Sequence, residues 1–271
     1  MATSTTTTLA GLMERLQADT LAVFRTQADL LDAVRIVEAN GVNSVQFPQF
    51  SAPSAVSALT QGNSGSYSTV SVAAVPATLA TYPVVAQVTL QALNGGMDIS
   101  MDVANVLAGQ IAATADTNIC ANFANFTGAT VGTGSANMSL STFMDGLAAL
   151  DSTKFVGEKV AVLHPITWKQ IAADVIAVAG TSREAIVGRG YVADLFGCKI
   201  YVSPWVDNTT NIATNGIYFK HALGFAYKNP IMELDSVLNP IYAAYDILGS
   251  SLHATALVQP TAGIKLLGKT A

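Results

Sequence analysis

Apolar side chains recur at helical spacing over residues 98–126, at Ile99, Val103, Val106, Leu107, Ile111, Ala115, Ile119 and Phe123. The stretch has no Pro and a single Gly, Gly109, so the pattern predicts one long helix of about 43 Å at 1.5 Å per residue. Gly95 and Gly96 break the chain before it, and Asp98 and Asp102 sit where the positive end of the helix dipole favours carboxylates. Residues 10–40 carry an earlier helical pattern, with Leu12, Leu16, Phe24, Leu31 and Val34 on its apolar face and Asn40-Gly41 as its stop, which predicts two short helices. Period two governs residues 82–92: Val84, Ala86, Val88 and Leu90 fall on one face, Val85, Gln87, Thr89 and Gln91 on the other, the mark of a half-buried strand. A turn cluster, Gln61-Gly62-Asn63-Ser64-Gly65-Ser66, separates this strand from an earlier extended stretch and predicts a long two-stranded hairpin.

After the long helix, elements become short and mixed. A Gly/Thr/Ser patch spans residues 127–137, and Ser139 or Ser141 can cap a helix over 142–150. Residues 160–163 form an apolar strand ended by His164-Pro165, and 167–178 read as an amphipathic helix. A loop at 180–190 leads to strands at 197–202 and 217–220, separated by a polar turn at 207–215. From His221 onward strand patterns dominate, at 224–228, 231–237, 241–247, 254–258 and 263–267. The class is α+β.

Charge changes this picture. Of 271 residues, 51% are hydrophobic and only 11% charged, against roughly 25% charged in ordinary soluble proteins. No Asp, Glu, Lys or Arg occurs anywhere from Ala39 to Met97. A hairpin without charge presents edges that invite pairing, so this segment is expected either to fold back on its own domain or to lie against sister copies. Its large apolar side chains, Phe47, Phe50, Tyr67, Tyr82, Val85 and Val88, are the candidate intersubunit contacts. A net charge of −5 leaves no basic excess to grip a nucleic-acid backbone. No stretch is long and apolar enough for a membrane helix, and the start lacks the pattern of a signal peptide. Cys120 and Cys198 lie in apolar settings in different segments, which favours buried thiols in a reducing cytoplasm over a disulfide.

Candidate chemistry is sparse. The sequence has no phosphate-binding glycine loop and no nucleophile elbow. His164, His221 and His253 have no second His or Cys at metal-ligand spacing, and His164 before Pro165 suits a strand-to-helix turn better than a general base. Asp98 with Asp102, and Glu233 with Asp235, share faces but lack further ligands. No catalytic residue, metal or cofactor is expected, and the chain reads as no enzyme.

The order of parts resembles the major capsid protein family of tailed bacteriophages, with the Hong Kong 97-type fold. The resemblance is carried by VAVLHPITWKQIAAD, DLFGCKIYVSPWV, IYFKHALGFAY and the closing VQPTAGIKLL. It implies an N-terminal arm at 1–38, an extended loop at 39–95, a peripheral domain with a spine helix at 96–135 and 220–271, and an axial domain at 136–219. It further implies self-assembly through hexamers and pentamers into an icosahedral shell enclosing double-stranded DNA without sequence-specific binding. Portal, scaffolding and cement proteins are the implied partners, the host cytoplasm the place of assembly and the virion the destination. Some members join a Lys of the extended loop to an Asn of a neighbour; that loop has no Lys here, so its contacts are expected to be non-covalent. An encapsulin-type compartment is the alternative, and a soluble α/β enzyme or a surface-layer protein more remote ones.

Overall fold

The computed structural model describes residues 4–50, 72–89, 100–179 and 191–271. Helix α1 (Ser4–Gln27) lies along helix α2 (Ser100–Ala121). On α1, Leu16, Thr20, Val23 and Phe24 are buried, a spacing that keeps one stripe of the helix against its neighbour. Two short helices were expected over residues 10–40. Instead a single helix is followed by a 3₁₀ turn (Leu31–Ala33) and by strand β1 (Arg35–Glu38). The edge of strand β10 (Leu223–Tyr227) decides this: β1 pairs with it in parallel, and that ladder overrides the local helical pattern.

Helix α2 is the predicted long helix, and it serves two cores. Val103, Ala104, Leu107, Ala108, Ile111 and Ala112 pack with α1 and with one sheet. Ala115, Ile119, Cys120 and Phe123 pack into a second, larger core. Its 22 residues correspond to about 33 Å. Val106, assigned to the apolar face, is half exposed, while Asp98 and Ile99 lie outside the described residues.

The first sheet is built on β12 (Ala244–Leu257). Strands β10 and β11 (Glu233–Asn239) run antiparallel along one edge of β12, and β4 (Ala80–Thr89) runs antiparallel along the other. Two strands were expected, at 241–247 and 254–258. One continuous strand results because β4 holds its ladder from Ala244 to His253 while β11 and β10 hold the opposite edge. Strands β2 (Ser44–Phe50) and β3 (Val72–Thr78) form a separate two-stranded ladder that leads directly into β4.

The second sheet has six strands in the order β5 (Ala129–Val131), β13 (Gly263–Lys269), β9 (Ile212–Phe219), β6 (Lys159–Leu163), β8 (Cys198–Val202) and β7 (Tyr191–Leu195). Helix α3 (Leu140–Ser152) buries Phe143, Leu147 and Leu150 in this core, and helix α4 (Pro165–Ala179) buries Ile171. Ser139 is the cap of α3: its hydroxyl accepts the Thr142 N–H at 3.2 Å. Residues 220–271 had all been expected beside the spine helix. β13 departs from that: it pairs with β9 and β5 and so closes the six-stranded sheet. Strands β7 and β8 meet at Phe196-Gly197, where both residues take positive φ, as a tight two-residue turn requires.

Candidate subunit interface

Strand β4 carries no charge, and its burial alternates as its sequence does. Tyr82, Val84, Ala86 and Val88 face α2 and the core, and Thr81, Pro83, Val85, Gln87 and Thr89 face out. The register places Val85 beside Leu248 and Leu248 beside Asp235; one step along, Gln87 lies beside Asp246 and Asp246 beside Val237. Asp246 is satisfied within the chain. Its Oδ1 accepts from Gln87 Nε2 at 2.9 Å and its Oδ2 from Asn239 Nδ2 at 2.8 Å. These two amides satisfy the oxygens of Asp246 and leave its charge in place; around it, with Asp235 exposed beside Leu248, the outer face offers Val85, Leu248 and Val237 as open apolar side chains.

The same sheet runs on into a projecting hairpin. Val237 and Leu238 point to opposite faces of β11, yet they are 59% and 51% exposed, so no element covers either side there. Ile241 and Tyr242, at the tip, are 84% and 65% exposed, and residues 236–245 contain no charge. Val85 is 61% exposed. Contiguous apolar exposure of this kind marks contact surface rather than a water-facing wall.

The six residues singled out in the sequence separate in the structure. Phe47 is fully buried in its own chain among Ala77, Ala226, Ala254 and Val258, so it offers nothing to a neighbour. Its ring lies on Gly224, where a Cβ would come within 2.6 Å of the ring, so only glycine allows this approach. Val88 is likewise spent in the core with Val103, Leu107 and Ile247. Tyr82 is half-buried and stacks on His253 at 4.2 Å between ring centroids. Phe50 closes β2 opposite Val72, and Tyr67 lies outside the described residues. Of the six, Val85 is the one shown with an open side chain. The hairpin residues Val237, Leu238, Ile241 and Tyr242 escaped sequence reasoning: an apolar run on both faces of a strand carries no alternation to separate inside from outside.

Elsewhere the polar groups have structural employment. His164 closes a turn: its backbone N–H donates to Asn215 Oδ1 at 2.7 Å, and its Nδ1 accepts the Ile166 N–H at 3.3 Å. Burial lowers its pKa. His253 is buried between Tyr82 and Phe225, with Ser251 Oγ 3.0 Å from its Nδ1 and Asn118 Nδ2 3.5 Å from its Nε2; burial pushes its pKa down to about 4. Glu233 pairs with Lys228 at 3.2 Å. Asp102 stands exposed in the first turn of α2. Cys120 and Cys198 are both buried and are not joined to each other. Among the described residues no three His, Cys, Asp or Glu side chains converge on a metal position, and no helix is long and apolar enough to cross a membrane.

No family model and no curated protein matches the sequence. Solved structures do match. The head of Helicobacter pylori bacteriophage KHP40 aligns with a TM-score of 0.68 at 8% identity, covering 91% of each chain. A virus-like particle from Pyrococcus furiosus aligns with a TM-score of 0.66 at 16% identity, covering 94% of this chain and 98% of that one. The holo-SrpI encapsulin complex from Synechococcus elongatus aligns with a TM-score of 0.65 at 12% identity, covering 91% and 89%. Such identities speak to the fold alone, and the fold is the Hong Kong 97-type fold of capsid and encapsulin subunits.

Proposed function

We propose that this chain is a shell subunit, the major capsid protein of a tailed phage, which assembles through hexamers and pentamers around double-stranded DNA and catalyses nothing. The observation that carries the reading is the open apolar surface that Val85, Leu248 and Val237 on the outer face, and Leu238, Ile241 and Tyr242 on the uncharged β11–β12 hairpin, form on a chain of this fold. Hexamers and pentamers are rings of heterologous contacts, in which one patch meets a different patch of the neighbour, and apolar side chains need no charged partner there. Obligate interfaces commonly exceed about 2,000 Å². At about 25 cal/mol per Å² of apolar area, even a modest apolar share of that area outweighs the scarcity of ion pairs. The net charge of −5 suits a container that holds its genome without gripping it. In this reading the extended loop at 39–95 reaches a neighbour, apart from residues 80–89, which pair with β12 of their own chain. Portal and scaffolding or cement proteins complete the particle.

Electron microscopy and sedimentation of the purified protein test the reading: megadalton shells are expected, and a persistent monomer or small oligomer refutes it. The likeness to an encapsulin complex favours one second reading, a compartment for protein cargo. Nuclease-protected DNA inside native particles is the outcome expected of the capsid; a protein cargo without DNA is the outcome expected of the compartment.

A further inference from the structure

The buried carboxyl of Asp116 has no place in the shell reading, yet it holds a junction of the fold. Asp116 lies on α2 with almost no exposure. Its Oδ1 accepts the Leu30 N–H at 3.4 Å; the Asp29 N–H also lies near the carboxyl but donates to the Gln27 carbonyl at 3.1 Å. These N–H groups belong to the link between α1 and β1, just before the 3₁₀ turn at Leu31–Ala33. Leu30 is the residue that opens that turn, so Asp116 ties the start of the turn to α2 from across the core. The link is no surface loop: Leu30, Ala33 and Val34 are fully buried.

We propose that Asp116 is a proton-operated clasp that fixes the α1–β1 junction to the long helix, closed while its carboxyl is protonated and loosened when it ionises. The groups that face it are the Asp29 carboxylate from the link, the Cys120 thiol one turn along α2 and the Tyr218 hydroxyl from β9. Each is neutral or negative. The Tyr218 hydroxyl is itself buried without a hydrogen-bond partner among the described residues, so this compartment offers a new anion little compensation. Burial, reinforced by Asp29, raises the Asp116 pKa to about 7, against the pull of the two backbone donors. An ionised Asp116 gains by reaching water, and it reaches water only if the link lifts from α2. As pH rises toward neutrality, opening of the junction therefore becomes less costly, and the effect levels off above about pH 7.

Hydrogen exchange of the full-length protein, corrected for intrinsic rates, tests this at about pH 6 and about pH 8. Deprotonation-coupled opening raises the opening constant by up to about tenfold per pH unit between the free carboxyl's pKa near 3.8 and the clasped one's near 7, and no further above it, which gives about tenfold in all between the two test values. Wild-type amides at 28–34 are expected to lose about that much protection at the higher pH, while Asp116→Asn keeps equal protection at both. Equal protection in the wild type at the two pH values, or the same loss in Asp116→Asn, overturns the clasp. If Asp116→Asn does not fold, the infrared stretch of a protonated buried carboxyl in the wild type decides. It must be present at about pH 6 and gone at about pH 8; its absence at the lower pH overturns the proposal.

Discussion

The six-stranded lobe and the β4–β12–β11 sheet are made of similar apolar strands, and they finish the task of burial differently. In the lobe, β6 has strands on both edges, and Val160, Ala161, Val162 and Leu163 are all fully buried. Helices α3 and α4, with the end of α2, complete a core whose apolar residues have no work left to do at a surface. In the other sheet, α1 and α2 cover one face while Val85, Leu248 and Val237 remain open on the other, and the β11–β12 hairpin runs beyond any cover. The lobe encloses its core and leaves apolar side chains such as Val156 and Phe196 open outside it; in the proposed shell, a neighbouring copy meets the open face of the sheet.

Four changes sharpen or break that contrast. The largest effect is expected at the root of the arm. Phe47→Ala removes a fully buried ring from Gly224 and should destabilise the subunit by about 3–5 kcal/mol in denaturant titration. A loss under about 1 kcal/mol would show that the arm's base is not part of the core. Next comes acid. His253 is neutral in the fold, with a pKa near 4 against 6.5 for a free side chain. The unfolded chain therefore takes up a proton first, and stability is complete above about pH 6.5 and falls as pH drops toward about 4. The total is about 3 kcal/mol, at about 1.4 kcal/mol per unit. His253→Gln should flatten this slope; an unchanged slope places the titrating group elsewhere.

The finished lobe should show a smaller and purely local effect. Ser139→Ala removes the cap of α3 and should cost about 1 kcal/mol, with assembly intact. Smallest for the isolated subunit is Val85→Lys, an exposed change expected to alter stability by less than about 0.5 kcal/mol. Its effect on assembly should be the opposite, abolishing shells seen by sedimentation. Normal shells from Val85→Lys would remove β4's outer face from the interface. Val88→Lys is the control, since Val88 is buried and its substitution should unfold the subunit.

Much of this was legible in the residues. The single long helix, the buried face of Val84, Ala86 and Val88, a serine cap at Ser139 or Ser141, the β6 strand and the His164 turn all follow from periodicity and from local hydrogen-bonding chemistry, which depend on neighbours in the chain. The scarcity of charge pointed to self-association before any coordinates. Three things did not follow. Residues 35–38 are a strand because the β10 edge receives them, residues 244–257 are one strand because ladders run along both edges, and the last strand joins the lobe because β9 lies open to it. The same holds for Phe47 and Val85: both are apolar residues of one uncharged segment, and only the approach of Gly224 to one and the lack of any cover over the other assigns the first to the core and the second to the surface. Local pattern states what each residue prefers to touch; which partner arrives is settled by pairing between segments far apart in the chain, and that information exists only in three dimensions.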